Sequence, residues 1–275
     1  MKYFLYGMIV LLLSGMFFWG TKAYREAKAY ETVSASLIEE MSAEKLAKFH
    51  VKEWAETVSL GFYRNKAKEV LESIKKSRKR HKAQSRKYAS YALLLLLGIL
   101  ASYLFVSLRA FTFFGAIAAL ITLLFGLVTP IMMVTIHKEV AYLGDVVLSF
   151  ESKGVIGSVS KLYENGDSVV AVVIFLFSVM IPLLKILSMI IVSVFKDASF
   201  AHSIVKLFKM IGKWSMVDVF VVATFLVYLT VNKGDVSRAE VEVGLYFFLA
   251  YVIVSMLVSL SADKMLHLCR TAKTD

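Results

Sequence analysis

Two apolar runs decide the fold: GKWSMVDVFVVATFLVYL at residues 212–229 and FSVMIPLLKILSMIIV at residues 177–192. Each has the length of a membrane-spanning helix, since about 20 apolar residues cross the hydrocarbon core of a bilayer. Each also carries a charge, because Asp218 lies in the first turns of one run and Lys185 lies in the middle of the other. A charge inside the bilayer is costly and usually faces protein or water. The two runs therefore predict membrane helices that surround a charged site.

The composition of the whole chain favours the same class. Its 275 residues are 58% hydrophobic and include only two prolines, and the mean hydropathy is +0.68. This is far from the balance of a soluble domain. We predict an all-α, polytopic helical membrane protein with about six transmembrane helices, at approximately residues 4–20, 88–108, 111–136, 168–195, 214–231 and 242–262.

Changes in polarity along the chain suggest five parts. We expect an N-terminal transmembrane anchor or signal, an extramembrane helical region, an additional transmembrane helix, a four-helix membrane module and a cytoplasmic tail, at residues 1–20, 21–87, 88–109, 110–263 and 264–275. An uncleaved anchor is favoured because Phe17, Phe18 and Trp19 are typical of an interfacial aromatic belt. The spacing of apolar residues in the extramembrane region predicts two or more amphipathic helices, as in a hairpin or stalk.

The net charge of +11 is concentrated in KKSRKRHKAQSRK at residues 75–87, which suits anionic headgroups better than nucleic acid. Lysines in the 196–213 connection and basic residues in the C-terminal tail place both on the cytoplasmic side. The loop 137–167 is balanced in charge and the loop 232–241 is short and nearly neutral, so both are expected on the outer side. Counting back through the spans places Arg109 inside and residues 21–87 outside. The basic tract then opposes the positive-inside tendency, which leaves an inverted N-terminal half as the alternative.

The intramembrane lysine and aspartate are the main candidates for a functional site. Lys185 lies about 15 Å from the cytoplasmic end of its span, and Pro182 frees a backbone carbonyl one turn earlier. Asp218 is on the next antiparallel helix, preceded by Lys213 and Trp214. We predict that Lys185 and Asp218 pair directly or through water. The alternatives are a lysine that snorkels to the headgroups and an aspartate that only caps its helix.

A polar stripe in the last span is the second candidate. Its residues recur every four positions, so they share one helix face: Tyr251, Ser255, Ser259 and Asp263. Such a stripe either joins helices or lines a hydrated entry for protons. The sequence shows no G-x-S-x-G, P-loop or H-E-x-x-H motif, and its five histidines and single cysteine are not at metal-ligand spacing. We therefore predict no catalytic residues, metal or cofactor.

Three stretches resemble the PqiA/LetA family (paraquat-inducible protein A): LFGLVTPIMMVTI at 124–136, SKGVIGSVSKLYENGDSVVAVVIFLFSVMIPLLKIL at 152–187, and GKWSMVDVFVVATFLVYL. The resemblance covers about residues 110–263. It implies a four-helix module of the bacterial inner (cytoplasmic) membrane that moves phospholipid together with an MCE-domain partner. As the basic tract already indicates, no nucleic-acid partner is expected. The matching motifs carry Pro182, Lys185, Lys213, Trp214 and Asp218 over as the family's site residues.

The chain departs from the family pattern in two respects. Well-known members carry two tandem modules and Cys-pair zinc ribbons, whereas this chain has one module and one cysteine. A single module implies either a homodimer or an anchor for a partner. Two hypotheses remain: a lipid-trafficking component in which Lys185 and Asp218 couple protonation to opening, and a non-transporting scaffold that maintains the envelope under stress. A third, an intramembrane enzyme, has only Ser188 beside Lys185 in its favour.

Overall fold

Long helices make up most of the computed structural model, which describes residues 2–40, 66–140, 144–194 and 237–271. The helices are α1 (Lys2–Glu40), α2 (Lys66–Ala101), α3 (Leu108–Val128), α4 (Val155–Glu164), α5 (Ser168–Phe175), α6 (Ile181–Val194) and α7 (Val243–Thr271). A 3₁₀ turn follows α2 (Ser102–Leu104), and a π-helical turn joins α5 to α6 (Leu176–Met180). The strands are β1 (Met132–Val140), β2 (Gly144–Lys153) and β3 (Ser237–Val241).

Five helical segments of the described part are long and apolar enough to cross a membrane: Tyr3–Ile38, Glu69–Leu104, Leu108–Val128, Ser168–Val194 and Val243–Met265. The predicted class, a polytopic helical membrane protein, is confirmed. The sixth predicted span, at residues 214–231, lies outside the described residues. The apolar side chains of these helices that face outward, such as Leu11, Val172 and Leu260, are 59–71% exposed, as expected for side chains that contact lipid.

Helices α1 and α2 form the N-terminal hairpin, an antiparallel pair in which each helix is continuous over more than 35 residues. The helices pass without a break through the predicted domain boundaries at residues 20 and 87, so the apolar and polar parts share the same helices. Trp19 stacks on Tyr88 at 5.4 Å between ring centroids and meets Tyr91 edge-on at 5.2 Å. Lys22 lies 5.1 Å from the Trp19 ring. This mixture of aromatic and basic groups is typical of a membrane–water interface.

Helices α3 and α7 pack so closely that glycine is required at their contact. A Cβ on Gly126 would lie 2.8 Å from the backbone nitrogen of Phe248, and one on Gly244 would lie 2.6 Å from the carbonyl oxygen of Pro130. Near the other end, a Cβ on Gly115 would lie 2.6 Å from Val258. Small residues at such crossings let membrane helices gain van der Waals contact. The core of the molecule is centred on this pair.

A small three-stranded antiparallel sheet was not predicted. Its order is β2-β1-β3, and the β1–β2 register shifts between Ile136 and His137. The predicted span 111–136 was too long, because α3 ends at Val128 and Thr129 is already extended, with ψ of 143°. Pro130 lacks the N–H that a continuing helix needs and disfavours helix in the residue before it. The apolar residues after it form β1 instead, and the predicted loops 137–167 and 232–241 contain strand residues.

Contacts at the two ends of the bundle show which segments of the chain lie at the same end. At one end, the polar half of the N-terminal hairpin meets the sheet, since Tyr30 donates a hydrogen bond to Glu240. At the other end, the Ser193 hydroxyl donates to the carbonyl oxygen of Arg109 at 2.8 Å. Residues predicted to share the outer side therefore lie together, as do two residues at the predicted inner side. The side of the membrane on which each end lies stays a prediction.

Candidate functional site

The described residues place a charged cluster where the N-terminal hairpin meets the sheet. Strand β3 pairs with β1, with Met133 opposite Glu240, and the backbone N–H of Glu242 donates to the carbonyl oxygen of Ile131 at 2.9 Å. Alternate residues of a strand point to the same face. Glu240 and Glu242 therefore point toward the hairpin together, just before α7 begins at Val243.

Glu240 is the well-partnered carboxylate of this cluster. It accepts hydrogen bonds from the Tyr30 hydroxyl at 2.9 Å and from Lys82 Nζ, and Arg78 Nη2 lies at 3.6 Å. Burial by itself raises the pKa of Glu240, but the hydrogen bond and charge of Lys82, the Tyr30 hydrogen bond and the charge of Arg78 outweigh burial and hold the pKa below its usual range. Glu240 is thus negatively charged and bridges the hairpin to the sheet.

Glu242 has a contrasting environment. The residue is 1% exposed, and neither carboxylate oxygen has a hydrogen-bond partner in the described structure. The nearest cation is Lys82 Nζ, 3.9 Å from Oε1. Burial raises the pKa of Glu242 to about 7; the charge of Lys82 opposes this rise and the charge of Glu240 adds to it. Glu242 is therefore an acid that changes its protonation state near neutral pH.

The hairpin side of the cluster is organised around Tyr30, which is fully buried. Arg78 donates from Nη2 to the Tyr30 hydroxyl at 3.0 Å and from Nε to Ser34 Oγ at 3.1 Å. The Arg78 guanidinium and the Lys82 ammonium each lie 5.4 Å from the centre of the Tyr30 ring. Because these residues recur every four positions on two antiparallel helices, they form one continuous contact.

Sequence reasoning missed this cluster. The basic tract was interpreted as a surface for anionic lipid, whereas Arg78 and Lys82 turn inward and the other basic residues of the tract are exposed: Lys75, Lys76, Lys79, Arg80, Arg86 and Lys87. The available signal was AEVEVGLYFF at residues 239–248, in which two acids alternate immediately before an apolar span. The sequence does not show that a lysine from the N-terminal hairpin, Lys82, meets both acids.

Of the predicted charge pair, Lys185 lies among the described residues and Asp218 does not. Lys185 is partly buried on α6, and the Ser188 hydroxyl donates to its carbonyl oxygen at 2.6 Å. Pro182 is buried and follows the π-helical turn Leu176–Met180. This irregularity accompanies the predicted break in regular hydrogen bonding before the proline. The other predicted members lie outside the described residues, so the pairing stays a prediction: Lys213, Trp214 and Asp218.

The predicted polar stripe of α7 runs from the core to a partly exposed end. Tyr251 is fully buried and Ser255 is 1% exposed, whereas Ser259 and Asp263 are partly exposed. Glu242, immediately before this helix, precedes Tyr251 by about 13 Å at 1.5 Å per residue. Among the described residues, no group of three or more His, Cys, Asp or Glu side chains has the arrangement of a metal site. The chemistry that this part offers is proton binding and charge pairing.

More than half of the chain matches a known protein family. The sequence model of the family described as paraquat-inducible protein A matches residues 111–269. The intermembrane transport protein PqiA of Escherichia coli (strain K12) is 28% identical over 127 residues, which are 44% of this chain and 30% of the relative. A probable intermembrane transport protein of Haemophilus influenzae is 31% identical over 117 residues, 40% of this chain and 28% of the relative.

The aligned region thus spans less than a third of the length of these curated relatives. No solved structure gives a significant match. The family match begins at the start of α3 and extends through most of α7, so it includes Glu240, Glu242 and the polar stripe. Tyr30, Arg78 and Lys82 lie in the N-terminal hairpin, outside the match. The charged cluster therefore joins a family segment to a segment that the family model does not cover.

Proposed function

The chain belongs to the paraquat-inducible protein A family, and from that membership we propose that it is an inner-membrane component of an envelope lipid-trafficking system. It is a multi-pass membrane protein with several apolar helices. Two relatives bear names that denote intermembrane transport. Because this chain aligns with less than a third of each, transport, its cargo and its partners belong to the proposal.

The observation that carries the proposal is the position of the family match. It covers α3, α6 and α7, which hold the partly buried Lys185 and the buried polar residues Tyr251 and Ser255. Polar groups inside a membrane bundle are costly unless they serve packing or a pathway. A phospholipid carrier needs an apolar path for acyl chains and a polar path for the headgroup or for protons. The exposed apolar faces of these helices and the few polar residues buried among them are compatible with both needs.

In the proposed mechanism, Lys185 and Asp218 form a charge pair that protonation of the carboxylate releases. An ion pair in a low-dielectric bundle holds two helices together, and loss of one charge leaves the other without compensation. The two helices then separate and open the module. The π-helical turn before Pro182 supplies a point where α5 and α6 change direction without loss of the whole helix.

Two partner proposals follow from the architecture. The polar half of the N-terminal hairpin extends beyond its aromatic belt by about 20 residues in each helix, or about 30 Å, and offers a periplasmic surface for an MCE-domain partner. We also propose a second copy of this chain as a partner, since symmetric homodimers are the commonest oligomers. Both partners are compatible with a role in transport rather than in catalysis.

The test compares charge-pair variants with a matched control. Lys185→Met, Asp218→Asn and the double variant are expressed in a strain that lacks the gene, beside Lys264→Met with Asp167→Asn, in which both control residues are exposed. We expect the double variant to reach wild-type abundance and thermal stability in the membrane but not to restore growth under envelope stress. The control should restore growth.

The scaffold alternative predicts the opposite result. If the charges only hold helices together, single variants lose about 3–5 kcal/mol of stability, and the double variant regains both stability and growth. A direct assay separates lipid transport from other functions: a photo-crosslinkable phospholipid added to membranes should label the purified wild-type protein and label the double variant less. Equal labelling with full growth would overturn the transport mechanism.

A further inference from the structure

The strongest unexplained feature is the buried carboxylate of Glu242. A buried carboxylate normally accepts several hydrogen bonds or pairs closely with a cation. Both Glu242 oxygens lack a hydrogen-bond partner in the described structure, although the residue is 1% exposed. Its backbone is held at the end of β3 by the bond to Ile131, which keeps the side chain at this buried position. The site must therefore accommodate a charge poorly or bind a proton.

The groups around Glu242 come from every described element that meets there. Helix α2 contributes Lys82 at 3.9 Å and, farther away, the charges of Arg78 and Arg86. Strand β3 contributes the ionised Glu240. Helix α1 contributes Tyr30, whose hydroxyl is already used by Glu240. The connection after α3 contributes the carbonyl oxygen of Ile131, which accepts from the backbone N–H of Glu242.

Lys82 is shared between the two carboxylates, and the sharing is unequal. Its ammonium group makes a hydrogen bond to Glu240, whereas Glu242 Oε1 is at the outer limit of an ion pair. Arg78 also lies nearer to Glu240, at 3.6 Å. When both carboxylates are ionised, Glu242 has the weaker share of the positive charge and the greater burial. A proton that enters the cluster will therefore bind to Glu242 first.

We propose that Glu242 is a proton-binding site at the outer end of the family module, and that Lys82 of the N-terminal hairpin sets its proton affinity. Binding converts the carboxylate to a neutral carboxylic acid, which releases Lys82 entirely to Glu240. Loss of the proton restores a second negative charge and draws Lys82 toward α7. The raised pKa of Glu242, about 7, means that both forms are populated near neutral pH.

This site is distinct from the Lys185–Asp218 pair and does not depend on the identity of the cargo. Lys82 lies outside the family match and Glu242 lies within it. The hairpin therefore responds to the protonation state of a residue at the start of α7. Since α7 carries the buried Tyr251 and Ser255, the hairpin is in contact with the same helix that provides the polar stripe. Proton binding at Glu242 thus links the hairpin to the module.

The test is infrared spectroscopy of the purified full chain in lipid nanodiscs as pH is varied. The carbonyl band of a protonated carboxylic acid should appear as pH falls through neutrality, and Glu242→Gln should lack this component. The matched control is Glu26→Gln, because Glu26 is a half-buried hairpin carboxylate that pairs with His81 at 2.6 Å. The control should retain the component. A component that persists in Glu242→Gln would overturn the proposal.

A second measurement tests whether Lys82 sets the proton affinity of Glu242. Lys82→Met should raise the midpoint of the Glu242 band by about 1–3 pH units, because a nearby cation lowers a carboxyl pKa by that amount. Lys82→Arg keeps the charge and should return the midpoint toward that of the wild type. Gel filtration of each variant checks its fold, and Lys82→Met tests the proposal even if Glu242→Gln fails to fold. An unchanged midpoint in Lys82→Met would show that the hairpin does not set the proton affinity.

Discussion

Lys82 Nζ lies 3.9 Å from Glu242 Oε1, and this ion pair joins residues that are 160 positions apart in the chain. The lysine belongs to the N-terminal hairpin and the glutamate to the start of α7. Together with the hydrogen bonds from Tyr30 and Lys82 to Glu240, the pair attaches the hairpin to the sheet and to α7. The hairpin is thus part of the folded module and not an independent stalk beside it.

Glu242→Gln should stabilise the protein at alkaline pH. The pKa of Glu242 is raised from 4.5 to about 7, so the folded state binds more protons than the unfolded state between these values. Glu242 therefore costs stability above pH 7, and the cost disappears as pH falls toward 4.5. The neutral glutamine avoids the cost, by at most about 3 kcal/mol.

Thermal unfolding in detergent at several pH values measures this effect. We expect the stability difference between Glu242→Gln and the wild type to be largest above pH 7 and to shrink steadily at acidic pH. A difference that grows as pH falls would contradict the raised pKa. Glu72→Gln, on the exposed face of α2, serves as the control substitution.

Glu240→Gln should destabilise the protein at neutral pH, which is the opposite of the effect expected for Glu242→Gln. Its pKa is held below the usual range, so Glu240 adds stability above its unfolded-state pKa and loses this contribution as pH falls through its folded-state pKa. At neutral pH we expect the variant to lose about 1 kcal/mol, since the side chain is 41% exposed and solvent screens its ion pairs.

A double-mutant cycle with Lys82→Met isolates the bond between the two residues. The double variant should lose less stability than the sum of the two single variants, because each change removes the same interaction. Additive losses would mean that Lys82 and Glu240 do not interact in the folded protein. The same denaturation assay as above, at neutral pH, provides all three values.

Gly244→Ala should destabilise the contact between α3 and α7. The new Cβ would lie 2.6 Å from the Pro130 carbonyl oxygen, and backbone atoms cannot move aside cheaply. Overpacking of this kind costs about 1–3 kcal/mol. Gly157→Ala is the control, because a Cβ there meets no atom within 4 Å and alanine favours the helix. Comparison of melting temperatures in detergent is sufficient, and equal melting temperatures would contradict the close approach.

Cysteine labelling should show that the polar half of the N-terminal hairpin and α4 share one side of the membrane. In a variant with Cys269 replaced by serine, Ala83→Cys and Tyr163→Cys should both react with an impermeant maleimide added to intact spheroplasts. Leu104→Cys, which is 78% exposed in the turn at the opposite end, should react only after lysis. Labelling of Leu104→Cys and not of Ala83→Cys in intact spheroplasts would invert the N-terminal topology.

The spans could be predicted because a membrane helix depends mainly on local composition. The starts of α3 and α7 were located within three residues. The amphipathic spacing predicted for the extramembrane region rests on residues outside the described ranges and stays a prediction. The end of α3 was wrong because residues after Pro130 are as apolar as those before it, and hydropathy does not distinguish a strand from a span. The break at Pro130 was present in the sequence, but the strand needed its partners β2 and β3.

The amino-acid sequence is enough to predict a polytopic helical membrane protein, because a run of about 20 apolar residues can satisfy its backbone groups in lipid only within its own helix. It also shows that Lys185 and the stripe of α7 are polar residues within apolar segments. Which charges meet depends on the tertiary structure. Glu242 and Lys82 are unremarkable when each is considered within its own segment. Their properties arise when β3 pairs with β1 and carries two carboxylates against the hairpin, since burial and a shared cation depend on positions that no local pattern specifies.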